Sequence, residues 1–118
     1  MDEVRGKVTI APSVLTAIVR LTALEQGGVH RLAPVPPKMW GLLGKGALEE
    51  GILVEVTDKG VQVEIHVVAE ADTNMLKLGE SLQANITRAI EEMVGLPVAC
   101  VDVYIEDVSL PRNKTNRP

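Results

Sequence analysis

Residues 82–108 read LQANITRAIEEMVGLPVACVDVYIEDV. Leu82, Ile86, Ala89, Ile90 and Met93 recur at helical spacing, and Gly95 followed by Pro97 stops the pattern. A glycine accepts the left-handed backbone of a helix end, and a proline cannot continue the helix. From Val98 the period changes to two: Val101, Val103 and Ile105 point one way, and Asp102, Tyr104 and Glu106 the other. A long amphipathic helix delivering an alternating strand is the signature of helices packed on a sheet.

Working toward the N-terminus, Asp72-Thr73-Asn74 supplies N-cap oxygens for that helix, whose stripe begins at Met75 and includes Gly79. Before it stand two alternating runs. In Ile52–Thr57, Ile52, Val54 and Val56 share a face. In Val61–Ala69, Val61, Val63, Ile65 and Val67 face the core, while Gln62, Glu64 and His66 face away. Asp58-Lys59-Gly60 joins them as a hairpin turn. Such strict alternation leaves one sheet face wet or against a polar partner. Further upstream, Pro12 opens a helix with Val14, Leu15, Ile18, Val19, Leu21 and Leu24 as its apolar positions, ended by Gly27-Gly28. Gly6–Ile10 (GKVTI) reads as a short first strand. Residues 29–51, with Ala33–Pro37 (APVPP) and Gly41, Gly44 and Gly46, read as irregular.

These elements predict an α+β fold: a two-layer sandwich in β-α-β-β-α-β order, its mostly antiparallel sheet carrying two helices on one face. Residues 1–108 form one domain, and 109–118 a disordered basic tail. The 118 residues suit one domain, and with no Phe, one Trp and one Tyr the core must be aliphatic. Cys100 is the only cysteine, which excludes an internal disulfide. Residues 1–7 lack the apolar region of a signal peptide, and no run approaches the roughly 18 apolar residues of a membrane span. An intracellular protein is therefore expected.

Reactive constellations are hard to assemble. Cys100 follows an apolar strand residue with no cation beside it and reads as a small core residue. His30 and His66 have no ligand-forming pattern. Glu49-Glu50, Glu91-Glu92 and Glu106-Asp107 are sequence neighbours that point in different directions. Gly41-Leu-Leu-Gly-Lys-Gly46 lacks the spacing of a phosphate loop and precedes a strand. Its GxxG resembles the backbone-clamping loop of KH domains but carries Leu42 and Leu43 at its centre. The chain is expected to be no enzyme and to hold no cofactor or metal. Net charge is −4, yet residues 30–48 and the tail hold cations without an acid. Arg31, Lys38, Lys45, Arg112 and Lys114 are thus the candidate contacts of a rival, nucleic-acid-binding reading. Trp40, beside Met39 and Pro37, is either a lid over the helices or an exposed interface anchor.

Four blocks carry a family resemblance. Gly6-Lys-Val-Thr-Ile-Ala-Pro12 resembles an opening GKhxIAP, where h is apolar. Thr22-Ala-Leu-Glu25 with Gly28-Val29 resembles a helix ending AALExxGV. The Gly51–Ala69 hairpin and the segment from Leu82 to Ile105 follow in order. Together they resemble the alkaline shock protein family of bacterial envelope-stress proteins. The resemblance implies a small α+β domain without known catalysis, cytoplasmic, and working through protein contacts. Some relatives self-assemble and some are held at the membrane by an anchor protein. Ala33–Pro37 departs from the family, whose members are glycine-rich there. The candidate partner contacts are Trp40 and the outward sheet residues Glu64, His66, Tyr104 and Glu106. The expected partner is a protein, either a second copy or one anchored in the membrane.

Overall fold

The computed structural model describes residues 5–34, 47–49 and 51–110. Its elements run α1 (Pro12–Glu25), β1 (Val29–Leu32), β2 (Ala47–Glu49), β3 (Ile52–Thr57), β4 (Gly60–Glu70), α2 (Met75–Met93) and β5 (Val98–Ser109). β4 is the spine of a five-stranded sheet. One of its edges carries β5 along its whole length, in parallel. The other edge carries β3 antiparallel along its first half and β1 antiparallel along its last residues. β2 extends the sheet beyond β3. The 19-residue α2 is the crossover that lets β4 and β5 run parallel.

Both helices cover one face, so the α+β sandwich holds, with three antiparallel pairings and one parallel one. The first strand is placed differently from expectation. Gly6–Ile10 forms no strand, and Val8 is 90% exposed. Its residues pair with no strand among the described residues. Part of the segment read as irregular supplies β1 and β2 instead.

The core is aliphatic, as composition requires. Val61, Val63, Ile65, Val67 and Ala69 of β4 meet Leu78, Leu82, Ile86 and Ile90 of α2 and Leu15, Ile18, Val19 and Ala23 of α1. α1 is turned relative to its expected stripe: Val14, Leu21 and Leu24 are exposed, and Leu15, Thr16, Val19 and Ala23 are buried. The small Ala23 and Thr16 lie inward, where α1 approaches its neighbours, including α2. Val56 and Met93, expected inside, are exposed at the ends of their elements. The caps form as read. Asn74 accepts from the Lys77 amide at 2.9 Å, and Gly95 (φ +82°) closes α2 by donating to Ile90 and Glu91 carbonyls. Between the helices, the Asn85 side-chain amide donates to Gln26 at 2.6 Å.

Two side chains of α2 satisfy backbone groups of β5. Gln83 donates to the Val101 carbonyl at 3.0 Å, and Glu91 accepts from the Val98 amide at 3.2 Å. No helix among the described residues is long and apolar enough to cross a membrane.

Candidate functional site

The face of the sheet opposite the helices gathers four of the candidate residues. Glu64 and His66 are two apart on β4 and therefore share a face. The parallel register sets His66 opposite Tyr104 and Glu64 opposite Asp102. The His66 and Tyr104 rings stack with centroids 4.7 Å apart and planes 9° from parallel. Glu64 Oε2 lies 2.8 Å from His66 Nε2, and Glu106 Oε2 lies 2.6 Å from His66 Nδ1.

His66 was expected to face outward as a contact residue. Its direction is as read, but the side chain is 0% exposed, with the two carboxylates and the tyrosine ring packed against it. It cannot touch a partner itself. Each ring nitrogen thus has a carboxylate oxygen within hydrogen-bond distance, and the two contacts clamp the ring from both sides. With both nitrogens engaged, the ring offers neither a base to a substrate nor a ligand to a metal. The exposed members are Tyr104, at 40%, and the outer edges of Glu64 and Glu106.

The backbone of His66 is fixed just as closely. Its amide donates to the Gly51 carbonyl at 2.8 Å, and its carbonyl accepts from Ala33 at 2.8 Å. His66 thus sits where β3 begins and β1 has just ended on the same edge of β4. That junction is tight. Gly51 has φ +84°, and a Cβ there would run into the Ala33 carbonyl oxygen. Only glycine meets both demands.

Beside the clamp lies a groove of about 190 Å³ lined by Leu53, Glu55, Gln62, Val63, Glu64, Cys100 and Asp102. Cys100, expected inside, is exposed here, on the outer face of β5. The face is acidic, with Glu55, Glu64, Asp102 and Glu106. Its negative charge acts on Tyr104, whose phenol is held above its ordinary value by Glu64 first, then by burial, Asp102 and Glu106. Among the described residues no group of three or more His, Cys, Asp or Glu side chains could hold a metal ion.

Of the candidates of the nucleic-acid reading, Arg31 of β1 pairs with Val68 and so stands on this same face, near the far end of β4, with its guanidinium donating to the Leu32 carbonyl at 3.3 Å. Trp40, Lys38, Lys45, Arg112, Lys114 and the Gly41–Gly46 loop lie outside the described residues.

Residues 1–110 match the alkaline shock protein 23 family, described as having a cell envelope-related function. The chain belongs to this family. Among curated proteins it is similar to YqhY of Bacillus subtilis, 27% identical over 104 residues that cover 85% of this chain and 75% of that protein. It is also similar to protein Spy1614 of Streptococcus pyogenes serotype M6, 23% identical over 108 residues and 89% of each chain. Both relatives carry the description "uncharacterized". No solved structure matches. Family membership gives a cell envelope-related function.

Proposed function

We propose that the protein serves the envelope without catalysis, by binding another protein through the outer sheet face. That protein is either a second copy or a membrane-anchored partner. One observation carries this reading. The face has no helix layer, yet it is built: a buried histidine ring props an exposed tyrosine and lies within hydrogen-bond distance of two carboxylates. A solvated face needs no such support. An aromatic ring with a rigid polar surround is the composition of an interface centre.

The reading against catalysis rests on the same geometry, since the histidine best placed for proton transfer has no free nitrogen. Against nucleic acid at this face stands its charge, which repels phosphates.

The test is capture of the tagged protein from its native cells in detergent, with and without nuclease, comparing wild type with Tyr104→Ala and with Trp40→Ala/Tyr104→Ala. Envelope proteins recovered from wild type under both conditions, and lost with the tyrosine, support the proposal. Full recovery with the double variant removes the surface assignment. Recovery that vanishes with nuclease transfers the function to the basic residues of segment 30–48.

A further inference from the structure

We infer that the outer sheet face is a seat for the chain's own basic segment 111–118, folded back in cis along β5. The first observation is the distribution of charge. Glu55, Glu64, Asp102 and Glu106 stand on this face; against them stand His66, engaged by two of these carboxylates, and Arg31, which is set opposite Val68 near the far end of β4. The solvent side of α2, by contrast, interleaves Lys77 and Arg88 with Glu80, Glu91 and Glu92. The segment after β5 reads PRNKTNRP, with Arg112, Lys114 and Arg117 and no acid.

The second observation is where that segment starts. β5 ends at Ser109, and Pro111 cannot extend a ladder because it has no N–H. A chain turning back there runs along β5 in reverse. Seven residues of strand separate Ser109 from Asp102, about 23 Å at ~3.3 Å per residue. With the reversal at Leu110-Pro111, the seven residues 112–118 return about 23 Å at ~3.3 Å per residue. Arg112 then falls beside Ser109, Lys114 beside Asp107, and Arg117 beside Tyr104, between Asp102 and Glu106. The groove between Glu55, Glu64 and Asp102, about 190 Å³, is of a size for one long basic side chain.

Tethering selects cis over trans. A short flexible link gives the segment an effective concentration of order millimolar at its own face, above any ordinary concentration of a second copy. Any partner of this face then competes with the tail. The inference goes beyond the proposed function and stands even if that face meets no partner.

Cys100, exposed in the groove and alone in the chain, makes the seat measurable. In the variant Pro118→Cys, position 118 returns about 10 Å short of Cys100, so a bismaleimide linker of about that span, at low micromolar protein, should join the two thiols within one chain, seen as a monomer on a denaturing gel. Adding Glu55→Gln and Asp102→Asn, which leave the His66 clamp intact, should slow the cross-linking about fivefold. Raising salt from about 0.05 to 0.5 M on the unneutralised face should slow it similarly. A wandering tail would close at one rate under all three conditions, and that result overturns the seat. A covalent dimer in place of the internal link overturns the cis assignment and gives the tail to a second copy. Because the assay uses purified protein alone, its failure leaves the capture experiment unaffected, and the reverse holds too.

Discussion

Tyr104 is the chain's one tyrosine, so its phenolate absorbance reports the outer face without interference. Its proton is held above the ordinary value of 10.0, first by Glu64. Glu64→Gln should therefore move the midpoint down toward 10.0, and an unmoved midpoint would show that this carboxylate does not set the field. The sign for stability follows. The folded protein keeps the phenolic proton more tightly than the unfolded chain. The contribution is complete below the unfolded pKa and is lost as pH rises through the folded one. His66 gives a sharper case. Removing the buried ring leaves a cavity and two partly buried carboxylates without their partner, so His66→Ala should destabilise by about 3 kcal/mol in urea unfolding. Adding Glu64→Gln and Glu106→Gln should return part of that loss, because unpaired charge costs more than an absent pair. If the triple variant is no more stable than His66→Ala, the clamp is not what holds the face.

At the scale of elements, the decisive join is the abutment of β1 and β3 on one edge of β4. Gly51→Ala places a methyl group against the Ala33 carbonyl at a positive φ, and should destabilise by about 3 kcal/mol. The Tyr104 titration should change with it, since the same junction fixes the His66 backbone. Gly95→Ala, at a similar φ but with open space around it, should cost about 1 kcal/mol. The contrast between the two, read by thermal melting, isolates the steric contribution. This junction was not legible in the sequence. Alternation identified β3, β4, β5 and the outward set Glu64, His66, Tyr104 and Glu106, because period two is a local property. Which strands pair is not local. Gly6–Ile10 has the pattern of a strand but no partner, and Val29–Leu32 has little pattern but an available edge. The α1 stripe failed for a related reason: apolar residues on both flanks left the side facing the sheet to be chosen by the small Thr16 and Ala23. The burial of His66 follows from the parallel β4–β5 register. The strand–helix–strand order from β4 to β5 signals that parallel pairing.

On the scale of the whole molecule, the two sheet faces differ: the helix-covered face holds the fold, and the acidic face is the one proposed for contacts. Substitutions should therefore divide cleanly. Leu82, 0% exposed under α2, is pure core, and Leu82→Ala should cost about 3 kcal/mol through lost burial and the cavity left behind. The surviving folded molecules should keep wild-type partner affinity, since the outer face is untouched. Glu55→Lys with Asp102→Lys should do the opposite. Both side chains are exposed and lie outside the clamp, so stability should shift by no more than about 0.5 kcal/mol. Reversing two of the four carboxylates, however, inverts the field that a complementary partner meets. Capture of envelope partners should fall, and the fall should be greatest at low salt, where exposed charges are least screened. Equal losses of stability and capture in both variants would mean that partner binding reports only the folded fraction. The outer face would then have no recognition role of its own.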